Sequence, residues 1–411
     1  MRVSTLQSVN QGINSIRDVS EQSYKTQSQI SSNKRVLTPS DDPVASTRIL
    51  QLNQDQSIRD QYKSNINGVE GRLNLEEAQL TSVGSILDKI RELTLTAGNG
   101  AYTQKDRNSI ADEVEQNLTQ LASLMNSKDA NGEYIFSGFK GETQPFVQND
   151  AGGYDYKGDE GQRYVSIASS SSIATNDSGK SVFEDVNSAK NTFYTAAGAN
   201  NTSSPPATIS QGVVVDQKAY DAFYPDDMQV SFYSSSRGME YRVTSKGDGR
   251  VLADGAADAH PYGSGAAISV NGVSFTISGT PAITDSFAVE SSKKQGLLTT
   301  VGKLVEGLRT IGDDSPAALK DMLDSSLGNL DSAQSRLSQV RTEIGARLNA
   351  LSDTKDLHET VDEASAGVLS NLQDLDYAEA VSKLQFQTFV LQAAQQSYVK
   401  VQGLSLFNFL N

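Results

Sequence analysis

The sequence predicts an α+β protein: a long α-helical coiled-coil or bundle rod made from both chain ends, with a mostly-β outer domain inserted between them. Three observations carry this. Apolar residues recur at three-four spacing in two distant segments, Tyr62, Ile66, Val69, Leu73, Leu80, Val83, Leu87 and Ile90 in one, and Leu323, Leu330, Leu337, Ile344 and Leu351 in the other. Proline is absent between Val44 and Gln144 and again after Pro316, so both stretches lack the residue that most readily breaks a helix. Nineteen of the 28 aromatic residues fall between Tyr134 and Phe287, where alternating patterns and Gly or Asn turns replace the heptads.

The first segment, Met1 to Leu37, repeats weakly. Val9, Ile16, Ile30 and Leu37 share one heptad position, and Leu6 and Ile13 share another, but Ser20, Ser23 and Gln27 interrupt the seam. Such a helix buries too little apolar area to hold itself folded and should order only against a partner. Thr38, Pro39, Ser40, Asp41, Asp42 and Pro43 then form a turn, in which Asp42 caps a new helix whose first residue is Pro43, with the φ that position favours. A helix from Pro43 to Leu95 would run roughly 80 Å at about 1.5 Å per residue. It ends near Gly98 and Gly100, and Thr103 with Asp106 opens another helix in a capping-box pattern.

Alternation governs Asn131 to about Glu290, as in Gly132 to Gly138, Gln162 to Ile167 and Ile268 to Ile277. The last of these contains Asn271-Gly272 between two alternating runs, the strongest short hairpin signal. Val186 to Gln211, rich in Ala, Asn, Ser and Pro, reads as a loop. Helix returns over Gln295 to Ile311, from Pro316 to about Leu351, and from Ala364 to the end. The resulting domains are 1–40 with 371–411 as terminal arms, 41–131 with 291–370 as a helical bundle, and 132–290 as the inserted β domain.

The last stretch has an unusual composition. From Ala380 to Asn411 there is no acidic residue and only Lys383 and Lys400 are charged, in a chain of net charge −15. A helix so apolar is not a solvated surface and must be covered. Leu6, Ile13, Ile16 and Ile30 from the N-terminal arm, with Leu384, Leu391, Tyr398, Val401, Leu404 and Phe407 from the C-terminal one, are therefore the candidate assembly interface. Thr38, Pro39, Asp41, Asp42 and Pro43 are the candidate joint between arm and bundle.

No catalytic constellation emerges. The net negative charge argues against a nucleic-acid surface, no run is apolar enough for a membrane span, and the absence of cysteine excludes disulfides and thiolate chemistry. Ala174 to Ser181 fits a loose phosphate-loop pattern, but without the buried strand before and long helix after, it reads as a polar turn in the β domain. His358, Glu359 and Asp362 resemble half of a zinc-protease motif whose second histidine is missing. His260, the other histidine, falls in a loop, and both read as exposed residues. No metal or cofactor is expected. The N-terminus lacks the continuous apolar core of a secretory signal, so the chain stays cytoplasmic or leaves without a cleaved signal.

Ser31 to Ala45 and Leu372 to Leu410, with Asp376 to Ala380 and Leu391 to Ala394, resemble the N- and C-terminal signatures of the bacterial flagellin family. Within it, the opening Met1 to Thr5, the Asp41-Asp42-Pro43 end of the turn and Gly132 to Phe146 resemble the members at the hook-filament junction. Tyr156 to Asp159, Gly179 to Phe183 and Asp285 to Val289 fit as well. The resemblance implies a structural protein of the flagellum, not an enzyme. Its two arms would pair as a coiled coil, disordered in the free monomer and ordered on assembly, and the β insertion would face outward. It also implies export through the flagellar apparatus to an extracellular position. The implied partners are further copies of itself in a junction ring, hook-associated protein 1, flagellin, and an export chaperone that covers the C-terminal arm. Two other readings fit the same residues: a filament flagellin, and a secreted rod-like binding protein whose loops, such as Val186 to Gln211 and Asp248 to Gly265, recognise a ligand.

Overall fold

The computed structural model describes residues 5–252 and 260–407; of residues 5, 6, 8, 9 and 401–407 it describes the backbone alone. Helix α1 spans Thr5–Ser32, α2 Pro43–Ala97 and α3 Gln104–Met125. Two short hairpins follow, β1 (Phe146–Gln148) with β2 (Tyr154–Tyr156), and β3 (Tyr164–Ala168) with β4 (Ser171–Ala174), and then a single π-helical turn at Lys180–Glu184. Next come β5 (Asn187–Ala197), β6 (Thr208–Ile209), β7 (Val213–Val214) and the short helix α4 (Gln217–Phe223). The β-rich segment continues with β8 (Met228–Ser235), β9 (Gly238–Ser245), β10 (His260–Pro261), β11 (Ala267–Val270), β12 (Val273–Ser278) and β13 (Ser286–Lys294). The chain closes with α5 (Leu297–Thr310), α6 (Pro316–Gln373) and α7 (Tyr377–Phe407). The long helices at both ends and the β-rich middle are those the heptads and aromatics predict.

The chain divides into two compact units, one of residues 1–64 and 353–411 and the other of residues 65–352. In the second unit, Ile66, Leu73, Leu80, Leu87 and Ile90 of α2 are buried with Val114 and Leu121 of α3, Leu304 and Leu308 of α5, and Leu330, Leu337 and Ile344 of α6. The three-four seams read from the sequence are thus the inward faces of a helical bundle. Arg309 donates to Asp112 and Glu115 on the surface between α5 and α3. The capping box at Thr103 is formed, with the Asp106 carboxylate accepting from the Thr103 amide at 3.0 Å.

That bundle core also takes in Ile135, Phe136, Phe146, Ile167, Val182 and Phe183, so the first part of the insertion packs on helices. A second core lies between an antiparallel sheet of order β10-β9-β8-β13-β5 and a smaller one of order β11-β12-β6, with β7 also paired to β12. Phe193, Phe232 and Phe287 of the larger sheet are buried together with Phe275 and Ile277 of the smaller, and Tyr220 of α4 joins them. The β11–β12 hairpin turns at Asn271 and Gly272, with φ of 47° and 81°, as the Asn-Gly pair predicts.

Several expectations are corrected. Helix α6 runs unbroken through residues 351–364, because Leu351 is still in the core and nothing between it and Gln373 breaks a helix; the break falls at Asp374 to Asp376. Val186 to Gln211 is not a loop throughout: eleven of its residues form β5, paired along most of its length with β13 and buried at Phe193. Gly132 to Gly138 is a series of turns with one isolated bridge, Lys128 to Tyr134, although its Ile135 and Phe136 are core residues. Ala174 to Ser181 is a buried segment rather than a polar turn, with Thr175, Asn176, Asp177 and Ser178 all inaccessible. His260 lies in β10 beside Tyr241, and His358 is buried.

Candidate assembly interface of the terminal arms

Within the unit of residues 1–64 and 353–411, α1 and α7 pack antiparallel. Their order is read from both ends of the pair. Lys34 bridges Asp374, the Arg35 amide donates to the Gln373 carbonyl at 2.7 Å, and Leu375 donates to Asn33 at 3.3 Å. At the other end Gly12 lies against Tyr398, so closely that a Cβ on residue 12 would sit 3.4 Å from the ring. Asn33 ends α1 in the left-handed region, at φ 55°, and the Lys34 amide reaches back to the Gln29 carbonyl, satisfying one of the helix's last acceptors.

Of the predicted interface residues, Ile16, Ile30, Leu384, Leu391 and Tyr398 are half-buried, while Ile13 is 44% exposed. The side chains of Leu6, Val401, Leu404 and Phe407 lie outside the described residues. Helix α7 leaves large apolar side chains uncovered: Phe386, Phe389 and Val399 are 66%, 69% and 67% exposed. Helix α1, whose heptads are interrupted by Ser20, Ser23 and Gln27, leaves these side chains of α7 uncovered. Thr26 and Gln387 are the buried polar members of the pair, and the Gln387 Oε1 has no hydrogen-bond partner.

The turn between α1 and α2 is held by two carboxylates with separate tasks. Asp41 accepts from the Leu37 and Thr38 amides at 3.0 and 2.9 Å and from Lys25 at 2.5 Å. The Lys25 hydrogen bond, with the Thr38 amide next, holds the Asp41 carboxyl down to about 2. Asp42 caps α2 by accepting from the Ala45 amide at 2.9 Å, and that bond keeps its carboxyl below the usual range. Thr38, Pro39 and Pro43 are exposed. Arg35, which the sequence does not single out, reaches both Asp42 at 3.3 Å and the Leu372 carbonyl at 2.8 Å. It fastens the turn to the end of α6.

Farther along, Asp362 of α6 receives Arg59 at 2.5 Å and Lys63 at 2.6 Å from α2, and His358 stacks on Tyr62 with centroids 5.7 Å apart. Burial opposes the charge on Asp362, but Lys63 and Arg59 outweigh it and keep the carboxyl below its ordinary value. The residues resembling a half zinc motif thus join two helices of one chain. Among the described residues no group of three or more His, Cys, Asp or Glu could hold a metal, and no helix is long and apolar enough to cross a membrane.

Residues 3–140 match the family model of the bacterial flagellin N-terminal helical region. Over 188 residues, 46% of this chain, the sequence is 33% identical to flagellar hook-associated protein 3 of Salmonella typhimurium. The match spans 58% of the length of that relative and of its Escherichia coli counterpart. The crystal structure of flagellar hook-associated protein 3 from Legionella pneumophila superposes with a TM-score of 0.53 at 30% identity, over 79% of this chain and 98% of that one. The chain belongs to the flagellar hook-associated protein 3 family. A second Legionella pneumophila structure, described as the flagellar junction protein, gives a TM-score of 0.50 at 30% identity, over 79% and 99% of the two chains. For a member of the hook-associated protein 3 family, long helices from both ends around a β-rich middle are the family's own architecture.

Proposed function

We propose that this chain is a structural subunit of the bacterial flagellum at the hook-filament junction, which assembles through its paired terminal helices and connects hook-associated protein 1 to flagellin. It acts by shape and adhesion, without catalysis. The observation that carries the assembly mechanism is the exposure of large apolar side chains on α7, where Phe386, Phe389 and Val399 stand in solvent on a helix that α1 covers only in part. Large apolar side chains exposed in this way are favoured by contact with another molecule that covers them. Neighbouring copies in a ring supply the cover, so the arms, 1–40 and 371–411, reach full burial in the polymer and not before. The bundle of 41–131 with 291–370 and the β insertion of 132–290 remain outside that contact.

Before assembly the same side chains need an export chaperone, and the chain passes through the flagellar export apparatus to an extracellular position. Immunogold labelling of purified hook-filament structures tests the location. The account expects gold confined to one narrow band between hook and filament. Labelling along the whole filament would assign the chain to the flagellins instead, and labelling free of the flagellum would favour a secreted binding protein.

A further inference from the structure

A cavity of about 640 Å³ opens in the unit of residues 65–352, bounded by β2, β5, β6 and the start of α5. Two acceptors in its wall lack donors. The Glu184 carboxylate closes the π-helical turn and lies against Gly296, where any Cβ would overlap it. It is mostly buried and has no hydrogen bond or ion pair among the described residues. The Gln211 Oε1, pressed against Gly302 of α5, is buried without a partner.

Of the other carboxylates nearby, exposed Asp150 adds a further negative charge to the wall, while Asp155 and Asp185 have cationic partners. Asp155 of β2 accepts from Lys157 at 3.0 Å and from Asn149 at 2.9 Å, and Asp185, next to Glu184, meets Lys294 at 3.0 Å. The hydroxyls of Tyr156 and Tyr194 donate to the Phe136 and Asp159 carbonyls and to Glu290 respectively, so these residues offer the cavity aromatic carbon. Lys157, the cation in the cavity wall, is thus taken by Asp155, and Glu184 has no positively charged donor of its own. We infer that this cavity binds an ammonium or guanidinium group on an aliphatic stem, with Glu184 as its counter-charge and the tyrosines as its aromatic walls. The stem could belong to a free small amine or to a lysine or arginine side chain of another protein.

Burial, with Asp185 and Asp155 adding to it, pushes the Glu184 carboxyl up to about 7. A cation binds the deprotonated form, so affinity should rise with pH through that value and level off above it. The test is calorimetric titration of the full chain with agmatine, with Nα-acetyl-arginine methylamide, and with the neutral isostere Nα-acetyl-citrulline methylamide. The inference expects at least one cationic probe to bind and the citrulline compound to bind at least about tenfold more weakly. Binding of agmatine alone would identify a free amine as the source, and binding of the arginine compound would identify a protein side chain. Glu184→Gln should weaken cation binding by a similar factor, while an unchanged near-ultraviolet dichroism spectrum shows that the fold is retained. Should that variant not fold, the pH dependence of the native chain decides. No cation binding, citrulline binding as tight as arginine, or affinity flat across neutral pH would overturn the inference and leave the junction role untouched.

Discussion

Arg347 and Asp177 meet as a two-pronged ion pair, both guanidinium amines donating to the carboxylate oxygens at 2.9 Å. The pair joins α6 to the buried segment before the π-helical turn, and both side chains are largely out of solvent. Breaking such a pair strands a charge. Asp177→Ala is expected to lower stability by about 3 kcal/mol, seen as a reduced urea midpoint in tyrosine fluorescence of the full chain. Arg347→Lys keeps the charge but loses the fork and should also lower the midpoint, by less. An unchanged midpoint in Asp177→Ala would show that the pair is ornamental.

Glu76 lies beside this pair, fully buried, with neither carboxylate oxygen in a hydrogen bond. The Asp177 amide favours its charged form slightly without reaching hydrogen-bond geometry, and Arg347 favours it too. Burial outweighs both, with Asp177 adding repulsion, and pushes the carboxyl well above the ordinary 4.5. The folded state therefore holds this proton longer than the unfolded state does. Stability from this group is greatest below about 4.5 and falls as pH rises toward the raised folded value. Glu76→Gln should flatten that decline and stabilise the protein at neutral pH. Urea midpoints at several pH values check this; a variant with the wild-type slope would refute it.

The helices were legible because their signal is repetitive. Heptads such as Leu323 to Leu351 mark an inward face whatever the partner, and the Asn271-Gly272 turn carries its geometry in its residue types. Strand β5 was not legible, because its Ala, Asn and Thr residues become a strand only through pairing with β13. His358 looked like an exposed residue, and the ion pairs of Asp362 could not be read, because the partners concerned, Tyr62, Arg59 and Lys63, lie some 300 positions earlier in the chain. The apolar character of α7 could be read from composition alone, whereas the closeness of Gly12 to Tyr398 needed coordinates.

That closeness gives a test of the arm pairing. Gly12→Leu places a branched side chain where a Cβ alone would already sit 3.4 Å from Tyr398. It should separate the upper part of the α1–α7 pair, reducing helical dichroism and incorporation into flagella together. Leu391→Asp, which puts a carboxylate into the half-buried seam, is expected to cost about 1–3 kcal/mol of pairing. Normal incorporation of both variants would mean that the seam does not guide assembly.

The turn carries its own pH signature. The Asp41 carboxyl, held at about 2 chiefly by Lys25 and the Thr38 amide, has a folded value below its ordinary 3.8. Its stabilising bonds are therefore complete above about 3.8 and are lost as pH falls toward 2. The Leu37 and Thr38 amides, which donate to Asp41, should lose exchange protection over that interval relative to their intrinsic rates. In Asp41→Asn the protection should be lower and should no longer change there. Equal profiles for the two proteins would remove Asp41 from the joint.

The central claim is that this subunit joins hook to filament. Deleting its gene, then examining the cells by electron microscopy while assaying the medium for flagellin, addresses it most directly. The account predicts hooks without filaments and flagellin shed as monomers into the medium. Normal filaments on the deleted cells would contradict it.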